Sequence, residues 1–377
     1  MKITTGVANG RKVWQLDNEK LTLSVMEGGG NVSGLKLRAG PNISPYWVPI
    51  WKTVEPWKFR KADTSRYGVR LLASISGHNL CLGAFGDPSP EEARAGMECH
   101  GEATVSRWKT LKRQRSKTGL TFAHGARLPI AEMDFTRTFV TARGSNIFRV
   151  REEIRSLSRK DQPYTMCQHV TFGPPFLEKG VTVFDTPATQ GHTFIGEFNP
   201  RQRLRSNAPF EWPKGPGKKG AVDLRRIGKE FKKTGDFCAL RMDPKKEFAW
   251  FSAVNPELGL LVAYVWKRDD FPWLGNWEEN FSRDGKPWAG RTLARGMEFT
   301  NTPFPVGIRK AVSMGKFQGI PTYRWLPARS KVTVEYRILA MPVWKNCRGV
   351  ADIRPAGRGL EMTLITGRNL KTLVRVF

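Results

Sequence analysis

The chain is dominated by a two-residue alternation of apolar and polar side chains. Leu21-Thr22-Leu23-Ser24-Val25-Met26 shows it, as does Thr136 to Thr141. Ile147-Phe148-Arg149-Val150-Arg151 repeats it after a Gly-Ser-Asn turn, and Val332 to Leu339 is a further clear case. Alternation puts successive side chains on opposite faces, so runs bounded by Gly, Pro, Asn and Asp predict half-buried antiparallel strands. Roughly fifteen or more such runs are spread over the whole length. Helical periodicity is scarce. Ser89-Pro90-Glu91-Glu92 predicts a single helical turn over Pro90 to Ala95. Trp250, Trp266, Trp325 and Trp344 fall in alternating segments and are expected in the core. No repeat of solenoid or propeller length is visible. The pattern gives an all-β fold: one large antiparallel β-sandwich, a single domain over 1–377, with the Pro/Gly/Lys-rich stretch 209–220 as a surface loop.

Composition narrows this. Hydrophobic residues make up 40% of the 377 positions, enough to offset chain entropy, which excludes a disordered chain. The longest apolar run, Gly259 to Trp266, matches one buried strand and is too short to cross a bilayer. The first ten residues contain no continuous apolar stretch, so no secretory signal and no membrane attachment are expected. The five cysteines are scattered and never form C-x-x-C, which argues against a disulfide scaffold or a zinc ribbon and makes a reducing, cytoplasmic setting the simplest. The net charge of +28 predicts attraction to polyanions at low salt. Its clusters, Lys109 to Lys117 and Lys214 to Lys233, come with no zinc-finger spacing and no RNP-like aromatic string, and they read as solvated loops and strand edges. The sequence sets no oligomeric state.

Several motifs match by letter only. Gly215 to Gly220 fits G-x-G-x-x-G, yet no strand precedes it, no helix follows and proline occupies the turn. There is no Walker A sequence, no H-E-x-x-H and no G-x-S-x-G. The five histidines share no helical metal-ligand spacing. His78, His124 and His192 read as structural.

Three segments remain: Gly96-Met97-Glu98-Cys99-His100-Gly101-Glu102-Ala103, followed by Trp108; Met166-Cys167-Gln168-His169-Val170-Thr171-Phe172; and Gly296-Met297-Glu298-Phe299, preceded by Trp273-Leu274-Gly275-Asn276-Trp277. Each sets one titratable residue in or beside a strand, among small residues and aromatics. Histidine and glutamate are natural partners for proton transfer, because burial and neighbours tune both toward neutral pH. Glu298 lies between Met297 and Phe299, so it points to the face opposite theirs.

In this order, after an opening strand, Gly28-Gly29-Gly30 and a second strand, the sequence resembles the aldose 1-epimerase (galactose mutarotase-like) superfamily. The resemblance runs from about residue 12 to 343. It implies a β-supersandwich with an open cleft on one sheet face, Glu298 as general base, His169 as general acid and His100 contacting the sugar near its ring oxygen. It departs from the family pattern at Gln168, where asparagine is common, and in lacking the early Asn-Arg pair, for which Arg66 and Arg70 are the nearest candidates. These mark a divergent member.

The chemistry fits those residue types. Mutarotation needs a base at the anomeric hydroxyl and an acid at the ring oxygen; a carboxylate and an imidazole about one sugar ring apart supply both, without metal or cofactor. Trp277 or Trp108 would stack on the apolar sugar face. Arg291 and Arg295, just before Glu298, are candidates for an anionic sugar group. Two other readings keep the fold: a noncatalytic carbohydrate-binding protein for anionic glycans, and a sugar-phosphate epimerase or glycan-cleaving enzyme. A glycosidase would need a second carboxyl group, with Glu98 or Glu102 as candidates.

Overall fold

A computed structural model describes residues 1–367 and 370–377. Two large antiparallel sheets pack face to face. The first has twelve strands, and its centre runs His78–Gly83, Gln162–Phe172, Leu293–Thr300, Trp273–Asn280 and Thr234–Arg241. The second has eight, with Phe248–Asn255, Leu260–Lys267, Lys331–Pro342, Ile147–Ser156, Met133–Ala142 and Gly119–Leu128 as its middle. The alternating runs at Leu21–Met26, Met133–Ala142, Ile147–Ser156 and Lys331–Pro342 are all strands. The short helix forms over Pro90–Arg94, with Ser89 accepting from the Glu92 amide and Glu92 reaching back to the Ser89 amide.

Alternation sorts the central strands into two populations. Met166, Val170 and Phe172, with Leu80, Leu82, Met297 and Phe299, face the second sheet and pack on Phe122, Phe135, Phe139, Phe251 and Tyr264. Each such side chain contributes ~1.5–3 kcal/mol on burial. The alternate residues of these strands, on the other face, join a separate aromatic cluster containing Trp47, Trp51, Phe85, Phe237, Trp273, Trp277 and Trp288. A one-residue slip in register would exchange the two sets, so the large inter-sheet core fixes which residues face outward.

The inter-sheet core also holds a closed polar chain. Arg137, fully buried, donates to Glu152 Oε1 at 2.5 Å. Gln168 donates to Glu152 Oε2 at 2.5 Å and its Oε1 lies 2.8 Å from His78 Nε2, while the His78 Nδ1 lies 3.2 Å from the Tyr264 hydroxyl. Burial and the nearby Arg137 charge push the His78 pKa well down, so it sits neutral in this chain. Gln168, immediately before His169, therefore anchors the strand from behind.

Some expectations are corrected. The stretch 209–220 is not an open loop: Pro209–Glu211 adds an edge strand to the first sheet, and Lys214–Gly217 pairs with Gly220–Asp223 as a hairpin. The G-x-G-x-x-G letters thus lie in a hairpin. Trp325 and Trp344 are exposed, 56% and 58%, because their segments lie at the margins of the sheets; Trp250 and Trp266 are buried. The last strands, Gly349–Ala356, Gly359–Ile365 and Lys371–Val376, form their own three-stranded sheet, and Val350, Ile353 and Met362 from it pack on Trp250, Leu261 and Val265. Among the described residues no helix is long and apolar enough to cross a membrane.

Candidate functional site

His169 and Glu298 are direct cross-strand partners in the antiparallel pairing of Gln162–Phe172 with Leu293–Thr300. Both project to the outward face, where Nε2 of His169 lies 3.1 Å from Oε1 of Glu298. The two atoms are close but not aligned as a hydrogen bond, and Oε1 has no hydrogen-bond partner among the described residues. A buried carboxyl oxygen without a partner is costly. His169 is steadied on its other side by Thr171, two residues along on the same face, with Nδ1 3.0 Å from Oγ1.

Glycines make the room. A Cβ on Gly296, two residues before Glu298 on the same strand, would stand 2.2 Å from Oε1; one on Gly275, paired with Glu298 across the next strand, would stand 3.2 Å from Oε2. Burial pushes the Glu298 carboxyl well above the usual range, with the neighbouring Cys81 adding to it. Burial, and then the nearby His100, pushes the His169 imidazole down to about 3. Both groups are therefore driven toward their neutral forms, and together they hold one proton.

His100 arrives from a different part of the chain. The His100-Gly101 pair turns through two left-handed residues, φ +64° and +82°. Gly101 is obligatory there, since a Cβ would meet the Leu82 carbonyl at 2.1 Å. The loop is locked by a reciprocal pair: the His100 amide donates to the Gly86 carbonyl at 2.9 Å, and the Gly86 amide donates to His100 Nδ1 at 3.0 Å. Nδ1 is thus an acceptor, which in the neutral ring leaves the proton on Nε2. The ring stacks on Phe85 at 5.4 Å and lies 5.6 Å, centroid to centroid, from His169. This backbone amide orients His100.

These side chains border a hollow of ≈ 300 Å³, at the small end of ligand sites. Its walls are aromatic, with Phe85, Phe237, Trp277 and Trp288, closed on one side by Leu71 and Leu72 of the short Arg70–Ser74 helix. The Trp277 ring sits 5.7 Å from His169. Asp87, Cys99 and Arg283 add polar groups. Among the described residues no set of three or more His, Cys, Asp or Glu side chains is arranged to hold a metal ion.

The structure thus brings His100, His169, Trp277 and Glu298 around one hollow. Trp108 does not join them. It is 2% exposed, donates to the Ala103 carbonyl at 2.8 Å and packs between the sheets against His124, so it cannot stack on a bound ring. Arg291 lies in an exposed turn outside the hollow. Arg295 faces the opposite way from Glu298, buried over Phe184 and bonded to the Leu224 carbonyl. Glu98 and Glu102 do not line the hollow either; Glu102 accepts the Ala131 amide at 2.7 Å, and Arg70 pairs loosely with Glu98 at 3.8 Å. Arg283 and Trp288 were not anticipated. They follow the Trp273–Asn280 strand in an irregular segment with no period to read; the only hint is tryptophan density around that strand.

No family model and no curated protein matches the sequence. Solved structures do. A candidate aldose 1-epimerase from Klebsiella pneumoniae aligns over 91% of this chain and 83% of its own, with TM-score 0.64 and 13% identity. A galactose mutarotase-like protein from Clostridium acetobutylicum aligns over 91% and 99%, TM-score 0.59, 12% identity. One from Lactobacillus casei covers 87% and 100%, TM-score 0.53, 14% identity. With its large antiparallel sheets, the chain has the all-β galactose mutarotase-like fold.

Proposed function

We propose that the protein interconverts the anomers of an aldose by opening and reclosing the sugar ring. The observation that carries this is the His169–Glu298 pair, 3.1 Å apart at the floor of a monosaccharide-sized hollow. The anomeric hydroxyl and the ring oxygen are bonded to the same carbon, so the groups that serve them must converge. Groups that converge on C1 can serve both oxygens, one each.

One member of the pair takes the proton from the C1 hydroxyl while the other gives its proton to the ring oxygen, the C1–O5 bond breaks and an aldehyde forms. Rotation about C1–C2 turns the other carbonyl face to O5. The C5 hydroxyl then attacks C1 and returns its proton to the group that gave it, while the new C1 oxygen recovers the first proton. The pair ends as it began, with one proton and no net charge transfer.

The resemblance assigns the base to Glu298 and the acid to His169, which requires carboxylate and imidazolium. Burial favours the neutral form of both residues. From that resting form His169 accepts and Glu298 donates. Because the reaction is its own reverse, either allocation carries it through both halves. His100 presents Nε2–H to the sugar, and Trp277 offers an apolar face to its C–H groups.

Polarimetry on freshly dissolved α-aldoses tests this. Wild-type protein accelerates decay of the rotation over buffer; Glu298→Gln and His169→Asn, both folded, return it to the spontaneous rate. Full catalysis in both variants would remove the pair from the mechanism.

A further inference from the structure

We infer that the hollow is selective for sugars carrying an oxyanion substituent, a carboxylate or a phosphate, and that Arg283 is the residue that recognises it. The inference rests on the anomer-exchange reading for the identity of the site, and adds the class of substrate.

Arg283 lines the same hollow as His169 and Glu298. Its guanidinium is clamped over two indoles, 5.5 Å from the Trp277 ring and 4.8 Å from the Trp288 ring. Such stacking holds the planar fork in one orientation and leaves its edge free to bind. Among the described residues, that fork donates no hydrogen bond. Its nearest carboxylate oxygen, Glu279 Oε2, is 3.5 Å from Nε and off-axis. Glu279 is already satisfied elsewhere: it accepts from the Ser282 amide at 2.5 Å and from the Ser282 hydroxyl at 2.8 Å.

The arginine is thus a half-buried cation whose side-chain donors make no hydrogen bond, held over two indoles and bordering the hollow. Two more deeply enclosed arginines elsewhere are bonded to carboxylates. Arg137 is bonded to Glu152, and Arg203 to Asp236 and Glu278. Arg283 has only Glu279 within 4 Å and no hydrogen bond to it, and it lies on the hollow that holds the acid–base pair. A neutral pyranose would leave most of these donors unmatched, whereas a carboxylate or phosphate accepts two in parallel. Asp87, another acidic side chain on the wall, forms no ion pair with Arg283. The sequence pointed to Arg291 and Arg295 for this role, and neither reaches the hollow.

The test compares anomer exchange, by NMR, of glucose, glucuronate and glucose 6-phosphate on wild-type protein. The expected result is a kcat/KM for one anionic sugar on the order of 10- to 100-fold above glucose, the range of a bidentate charge-assisted contact. Glucuronate leading assigns a carboxylate; glucose 6-phosphate leading assigns a phosphate. Arg283→Gln brings the ratio toward one, mainly through KM, and Arg283→Lys keeps part of it. Equal kcat/KM for all three sugars on wild-type protein overturns the inference and leaves the anomer-exchange reading standing. If no sugar is turned over, that reading falls and calorimetric binding of the same three probes decides: Arg283-dependent tighter binding of an anionic sugar upholds the site, and equal or absent binding rejects it.

Discussion

Gly296 and Glu298 occupy the same face of one strand, and the carboxyl of the second lies where a side chain on the first would have to be. A Cβ at position 296 would stand 2.2 Å from Glu298 Oε1. Gly296→Ala must therefore displace the carboxyl from its place beside His169, while the inter-sheet core lies on the other face. Displacement of a reacting group by about 1 Å costs roughly 100-fold in rate. The expected outcome is a kcat fall of that order with a melting temperature close to wild type. Unchanged kcat would mean that the position of this oxygen does not matter to the reaction.

The acid limb of the pH profile follows from His169. Its pKa is lowered to about 3, by burial and then by His100, so it stays neutral throughout the range in which an exposed histidine titrates. Activity is lost at the acid end only when a second proton enters the pair. We expect kcat/KM, followed by anomer exchange, to be flat from pH 5 to 7. A single-proton fall centred near 6.5 would show instead an ordinary, solvated imidazole.

Glu298 makes the opposite contribution to stability. Its folded pKa is raised, so the stability that its proton supports is fully present below the unfolded value, ~4.3, and is lost as pH rises through the folded one. Glutamine mimics the protonated acid at every pH. Calorimetry should therefore find Glu298→Gln at least as stable as wild type, with the gap widening from pH 5 to 8, while catalysis is lost. A pH-independent gap would contradict the raised pKa.

Behind the site, Glu152 compensates the fully buried Arg137 and receives Gln168. Glu152→Ala leaves that charge without a partner, which costs about 3–5 kcal/mol. Chemical denaturation should show a loss of this size. A loss under about 1 kcal/mol would mean that water reaches the arginine.

Much of this was legible in the sequence, for a physical reason. Alternation of period two dictates which residues share a face, so the orientation of Glu298 away from Met297 and Phe299 follows from its neighbours alone. Trp108 was misplaced because a tryptophan after a loop reads equally well as platform or core, and only the inter-sheet packing against His124 and Arg137 decides. Arg295 was misplaced although the same parity rule puts it with Met297 rather than with Glu298. Arg283 escaped notice because it lies beyond the end of its strand, where no periodicity operates and only the tryptophans at 277 and 288 hold it.

The central claim, that one buried acid–base pair works on the anomeric carbon, is tested most directly by a crystal structure with a bound aldose. We expect the C1 hydroxyl and the ring oxygen to lie within roughly 2.6–3.2 Å of His169 Nε2 and the Glu298 carboxyl, one oxygen to each group. A sugar seated in the hollow with C1 turned away from the pair, or bound elsewhere on the molecule, would contradict it.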